Sequence, residues 1–323
     1  MIKITEIQEE LQRRIGQKRV IVIIDLKVER FYGQLFPFEK ITIEASEQSK
    51  TLETAESIVG QLMTMKADRD VFLLGVGGGI TTDICGFVAA IYKRGVDFGF
   101  VPTTLLAMID AAIGGKNGVN VQHFKNMVGT IRQPEFTLIC PEFLQTLSHS
   151  EFYEGLSEMF KAFIISGENF DECGRFFAEN DEKTIFALSE NLVKLEFYIQ
   201  EAIKVKQLIV AEDEFETDKR RILNLGHTFA HAIEHCSTLS HGQAVAIGLV
   251  CAARNGNPAV VERISRALSA CGLPTEIPAN IPRQQMLEAI AQDKKNSDGA
   301  CNIIVINDIG DVAIRKLKAG ILV

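Results

Sequence analysis

The stretch Asp70-Val71-Phe72-Leu73-Leu74-Gly75-Val76-Gly77-Gly78-Gly79-Ile80-Thr81-Thr82-Asp83 carries the reading of the fold. After Asp70 it is an unbroken apolar run, the pattern of a strand buried on both faces. Three glycines follow, and a helical segment then continues through Ile91. Such a turn lets backbone amides approach a pyrophosphate, with the positive end of the helix stabilising its charge. The plain alternative is a tight strand-to-helix connection with no ligand. The spacing is not G-x-G-x-x-G, which disfavours a conventional dehydrogenase domain. Asp83 either caps the helix or bonds a hydroxyl of a bound molecule.

Outward from this stretch the chain alternates. Arg19-Val20-Ile21-Val22-Ile23-Ile24-Asp25 is a second β-branched run, and residues 49–65 have helical spacing with Ile58, Leu62 and Met65 on one side. Gly99-Phe100-Val101-Pro102 reads as a short strand ended by proline. This β-α-β-α order predicts a Rossmann-like parallel-sheet domain over residues 1–147. From Ser148 onward the texture is helical, with periodic segments at 152–166, 182–211 and 224–235. Two runs, 300–306 and 311–318, flank Ile309-Gly310 and predict a small hairpin. The expected architecture is therefore α/β over 1–147 and mainly α-helical over 148–323.

With 323 residues, 46% hydrophobic and 24% charged, the composition is that of a soluble globular protein. A net charge of −8 argues against a nucleic-acid surface. The first residues are too acidic for a signal sequence. The most apolar region, 98–115, is interrupted by Pro102 and Asp110, so it is not a membrane span. Seven scattered cysteines without a C-x-x-C pair suit reduced thiols in a cytoplasm.

Three further groups carry chemistry. Asp110-Ala111-Ala112-Ile113-Gly114-Gly115-Lys116-Asn117-Gly118-Val119-Asn120, with Lys125-Asn126, offers exposed amides and two cations for phosphate. It lacks the P-loop spacing, and standing alone it reads as a surface turn. Asn224-Leu225-Gly226-His227-Thr228-Phe229-Ala230-His231, followed by His241-Gly242, holds three of the six histidines. His227 and His231 are four apart and share a helix face, as two metal ligands would. Thr228 stands where a zinc protease needs glutamate, which argues against that class. For His123, His149 and His235 the ordinary surface or core reading is preferred. Glu158 is a candidate carboxylate ligand, although a Glu–Lys pair at the spacing of Glu158 and Lys161 is usually solvated.

In series, these motifs resemble the 3-dehydroquinate synthase family of the shikimate pathway. The matching blocks are Gly77-Gly78-Gly79 with Asp83, Lys93-Arg94-Gly95, Val101-Pro102-Thr103-Thr104-Leu105-Leu106-Ala107, Gly114-Gly115-Lys116 with Asn120, Lys125-Asn126, Glu158 with Lys161, Asn224 to Thr228, His231 to Glu234, His241-Gly242 and Asp293-Lys294-Lys295. The resemblance implies a divalent metal, zinc or cobalt, on Glu158, His227 and His241, which moves His231 to the substrate phosphate. It implies NAD on Gly78, Gly79 and Asp83, with Thr103, Thr104, Lys116, Lys125 and Thr146 around it and Glu47 and Lys50 on the adenosine side. Implied substrate contacts are Asp110, Lys116, Asn126, Lys161, Lys206, Arg220, Asn224, His231 and one of Lys294 or Lys295. Arg94 would reach the neighbouring subunit's site, which implies a homodimer.

The implied reaction takes the sugar phosphate 3-deoxy-D-arabino-heptulosonate 7-phosphate to 3-dehydroquinate and phosphate. It runs through oxidation by NAD, phosphate elimination, return of hydride, ring opening and aldol closure, and is formally a phosphorus–oxygen lyase reaction of aromatic amino acid biosynthesis. Three positions depart from the family's usual pattern: Thr82 replaces glycine, Lys27 follows Asp25-Leu26 where asparagine is usual, and Gln243 replaces glutamate after His241-Gly242. The rival readings are another sugar phosphate cyclase, a polyol dehydrogenase of the glycerol dehydrogenase type, and a non-catalytic relative keeping the fold.

Overall fold

The computed structural model describes residues 1–122, 124–292 and 300–318. They fall into two compact units, Met1–Ser148 and His149–Val323. In the first, α1 (Ile7–Ile15) precedes β1 (Val20–Asp25), α2 (Leu26–Tyr32), β2 (Glu39–Ile43), α3 (Leu52–Thr64), β3 (Phe72–Gly77), α4 (Gly79–Ile91) and β4 (Asp97–Pro102). The strands form one parallel sheet in the order β2-β1-β3-β4. The two long apolar runs are its adjacent inner strands, with Ile23 opposite Ile41 on one side and Gly75 on the other.

The helices cover this sheet because their apolar residues recur at helical spacing. Ala55, Ile58 and Leu62 of α3 and Ile84 and Val88 of α4 pack on Ile21, Ile23, Leu73 and Phe98. Burying each such side chain contributes roughly 1.5–3 kcal/mol. Met65 caps α3 at the rim of this core. Two features lie outside the sequence expectation: the short edge strand β2, and an antiparallel hairpin of β5 (Lys116–Val121) and β6 (Phe124–Ile131). The hairpin replaces the surface turn read at Gly114 to Asn120. It is held by backbone pairing and by Asn117, whose Nδ2 donates to the carbonyls of Gly115 and Arg132.

The second unit comprises α5 (His149–Ser166), α6 (Phe170–Glu179), α7 (Glu182–Ala187), α8 (Ser189–Glu212), α9 (His227–Cys236), α10 (His241–Arg254), α11 (Val261–Ala270) and α12 (Arg283–Gln292). The hairpin of β7 (Ala300–Asp308) and β8 (Asp311–Lys318) turns at Ile309-Gly310. The single helix expected over 182–211 is broken at Leu188, which is extended (φ −119°, ψ 123°). The break lets the buried Asn191 donate to Asn180 Oδ1 at 2.9 Å, a bond that an uninterrupted helix would not offer. The seven cysteines, all among the described residues, form no disulfide. Among the described residues, no helix is long and apolar enough to cross a membrane.

Candidate metal centre and cofactor turn

Helix α5 buries two charges among Phe152, Leu156, Phe160 and Phe163. Glu158 is 2% exposed and Lys161 4%, so they are not the solvated pair that their spacing suggested. The Lys161 ammonium lies against Glu158 Oε2. His227 Nε2 is 3.4 Å and His241 Nε2 3.5 Å from Glu158 Oε1. One ligand atom from each of Glu158, His227 and His241 lies within 4.8 Å of the other two. Both Glu158 oxygens are buried without a well-formed hydrogen bond. Lys161 offsets the charge at Oε2, while Oε1 faces only the two imidazole nitrogens, the place where a metal cation would complete the carboxylate's environment.

Each imidazole is turned so that its Nε2 faces the carboxylate. His227 Nδ1 lies 3.1 Å from the carbonyl of Leu225, and His241 Nδ1 lies 3.3 Å from Glu234 Oε2. With those nitrogens donating, each Nε2 of a neutral ring presents a lone pair, and two imidazoles with one carboxylate form a donor set suited to zinc or cobalt. Burial raises the Glu158 pKa, but Lys161, then His227 and His241, outweigh it and hold the carboxyl well below the usual carboxylate range. Burial pushes His227 down, and the charges of Lys161 and His241 add to it against the pull of Glu158. For His241 burial is outweighed by the two carboxylates, Glu158 and Glu234, and the pKa rises to about 10.

Close helix packing sets these distances. A Cβ on Gly242 would fall 2.5 Å from the Glu154 backbone in α5, one turn before Glu158. A Cβ on Gly248 would fall 2.2 Å from the Gly226 carbonyl oxygen, immediately before His227. Ser240 caps α10 through a capping box with Gln243, which fixes His241 as the first helical residue. Gln243 thus serves the cap, and the carboxylate behind His241 comes from Glu234.

In the first unit, Gly78 is the N-cap of α4 and no side chain caps that helix. The amides of its first turn are therefore available for an anion. The Thr104 methyl lies 3.0 Å from where a Gly78 Cβ would sit, and the Ala111 methyl lies equally close to a Gly79 Cβ, so the turn is bare because its neighbours approach closely. Asp83 lies in the second turn of α4 and does not cap it. The buried Lys50 bridges Asp83 Oδ2 at 2.5 Å and Asn126 Oδ1 at 2.6 Å.

Sequence models of 3-dehydroquinate synthase match residues 40–154 (N-terminal part) and 155–296 (C-terminal part). The chain belongs to the 3-dehydroquinate synthase family. It is 37% identical to a 3-dehydroquinate synthase of Coxiella burnetii, over 96% of this chain and 91% of that one. It is 40% identical to that of Pyrococcus abyssi, over 93% and 87%. Among solved structures it resembles a 2-epi-5-epi-valiolone synthase from Streptomyces hygroscopicus with NAD+ and Zn2+ bound. There the TM-score is 0.82 and the identity 28%, covering 92% of this chain and 87% of that one.

The remaining residues that the family resemblance singled out have definite places. In the second unit, His231 is exposed, with its ring edge-on to His227 at 5.6 Å. Arg220 is 1% exposed and donates to the Glu214 carbonyl. Asn224 donates to Glu216 Oε1 at 2.6 Å, and Lys206 is half-buried on α8. In the first unit, the amide of the buried Thr103 donates to the Gly77 carbonyl, while Thr104 Oγ1 accepts from the Ala107 amide. Asp110 lies in a π-helical turn, Ala107–Ala111. Lys116 and Lys125 are exposed on the hairpin, and Thr146 donates to the carbonyl of Phe143. Arg94 is exposed on two successive left-handed residues, Lys93 and Arg94. Lys294, Lys295 and His123 lie outside the described residues. Thr82 is fully buried and bonds the Gly79 carbonyl, and the exposed Lys27 donates its amide to Asp25 at the start of α2.

Glu234 stands at the end of a matching block, but the sequence reading gave it no role. It lies seven residues after His227, so His227, His231 and Glu234 share one face of α9. That spacing was the available signal.

Proposed function

We propose that the chain converts 3-deoxy-D-arabino-heptulosonate 7-phosphate to 3-dehydroquinate and phosphate. The observation that carries this reading is the buried Glu158, ringed by His227, His241 and Lys161 in a member of this family. Glu158, His227 and His241 would hold the divalent metal, and Gly78 and Gly79 with Glu47, Lys50, Asp83, Thr103, Thr104, Lys116, Lys125 and Thr146 would hold NAD. The metal supplies Lewis acidity and the nicotinamide a reversible hydride acceptor.

The chain's own side chains bind and orient the sugar phosphate. Lys161 keeps a positive charge in a desolvated place, where an anionic substrate group gains more than it would in water. His231, exposed beside His227, with Lys206, Arg220 and Asn224, supplies donors for phosphate and hydroxyls. Asp110 and Asn126 fix hydroxyl groups, and Arg94 serves the site of a second copy in a homodimer. Seven cysteines that form no disulfide suit a cytoplasmic enzyme.

Turnover compared between the heptulosonate phosphate and a seven-carbon sugar phosphate without the carboxylate tests the substrate. The reading expects phosphate release from the first. Turnover of the second alone would assign the chain to another cyclase reaction.

A further inference from the structure

In the hairpin, Val119 pairs with Val128 and Val121 with Phe124, so Asn120 alone faces the three residues 125–127 of β6. This is a bulge, and Asn126 lies in it with a left-handed backbone (φ 53°). Bulges re-aim side chains and take an amide out of the ladder. Asn120 supplies an acceptor: its Oδ1 accepts from the Asn126 amide at 2.9 Å. Its Nδ2 donates to Glu47 Oε1 at 2.8 Å, and its own amide donates to the Lys50 carbonyl at 2.8 Å. One residue thus ties together Glu47, Lys50 and Asn126, and Asn126 in turn meets the Lys50 ammonium that pairs with Asp83.

We infer that Asn120 is a positioning residue that sets the cofactor side, through Glu47 and Lys50, and the substrate side, through the bulged Asn126. The inference rests on the cofactor and substrate roles proposed above. The two ends of its carboxamide do different work. Oδ1 holds the bulge in which Asn126 sits, and Nδ2 holds the Glu47 carboxylate. Both bonds come from the one carboxamide.

The test uses the metal-loaded full chain, with NAD affinity measured by calorimetric titration and KM for the heptulosonate phosphate measured at saturating NAD. Asn120→Ala is expected to raise the NAD Kd about tenfold and KM by a similar factor, the loss of a hydrogen bond to a charged or strained group. Asn120→Asp keeps an oxygen for the Asn126 amide but loses the donor and sets a negative charge against Glu47. Its KM is expected to return to the wild-type value while its NAD Kd stays raised. Wild-type values of Kd and KM in Asn120→Ala, or an Asn120→Asp protein that raises both alike, would overturn the role. A wild type that binds no NAD contradicts the cofactor reading itself and the role with it. A wild type that binds NAD beside an unaffected Asn120→Ala overturns the Asn120 role alone.

Discussion

Glu234 stands directly behind His241: its Oε2 lies 3.3 Å from His241 Nδ1, on the opposite side of the ring from Glu158. The ring is therefore oriented from both sides, and the nitrogen facing Glu158 is the one left for a metal. Glu234→Gln keeps the shape but removes the charge behind the ring. Such supporting partners typically contribute a factor of about 10–100 in metal affinity. Competition with a chelator is expected to show a loss in that range, and the metal-free protein is expected to unfold at a lower temperature near neutral pH, because the charged His241 loses one of its two carboxylates.

Metal uptake is expected to expel a proton. The His241 pKa, raised to about 10 from an ordinary 6.5, lies above the unfolded value. Its stabilising effect on the metal-free protein is therefore full below about pH 6.5 and lost as pH rises through about 10. A metal requires the neutral ring, so its affinity climbs with pH across that window. Titration near neutral pH in buffers of different ionisation enthalpy should show about one proton released per ion. Heats independent of buffer would mean that His241 is already neutral.

Helix packing at Gly248 should matter to the metal as well as to the fold. Gly248→Ala places a methyl where the Gly226 carbonyl oxygen lies, and the backbone before His227 must move. Overpacking of this kind costs about 1–3 kcal/mol. The expected result is a lower Tm and a smaller rise in Tm on adding zinc. An unchanged zinc effect would show that His227 does not depend on this contact.

The Lys50–Asp83 pair separates stability from binding. Asp83→Leu alone leaves the Lys50 ammonium buried beside an apolar group and should destabilise by about 3–5 kcal/mol. Adding Lys50→Met removes the orphaned charge and should recover much of that stability in chemical unfolding. NAD affinity is not expected to recover, because the pair's polar groups are absent from the double variant. Recovery of both would make the pair purely structural.

The sequence showed what burial writes plainly. β1 and β3 are covered on both faces, so both appear as unbroken apolar runs, and α3 and α4 show the spacing of their buried sides. β2, β5 and β6 were not legible. β2 is a short edge strand, and the hairpin Lys116-Asn117-Gly118-Val119-Asn120-Val121 owes its shape to backbone pairing and to the carboxamide of Asn117 rather than to hydrophobic alternation. The histidine spacing alone favoured His227 with His231. The second imidazole at Glu158 instead comes from α10, placed by the Ser240 cap and the close approach at Gly242. Burial of the Glu158–Lys161 pair was equally invisible, because an i,i+3 charge pair looks the same in solvent and in a core.

The most direct measurement follows phosphate and reduced nicotinamide together while the metal-loaded protein turns over the heptulosonate phosphate with NAD present. Steady phosphate release with no net accumulation of reduced nicotinamide is expected, as is loss of both metal and turnover in His241→Ala. Reduced nicotinamide rising in step with turnover, or a His241→Ala protein that keeps its metal and full phosphate release, would contradict it.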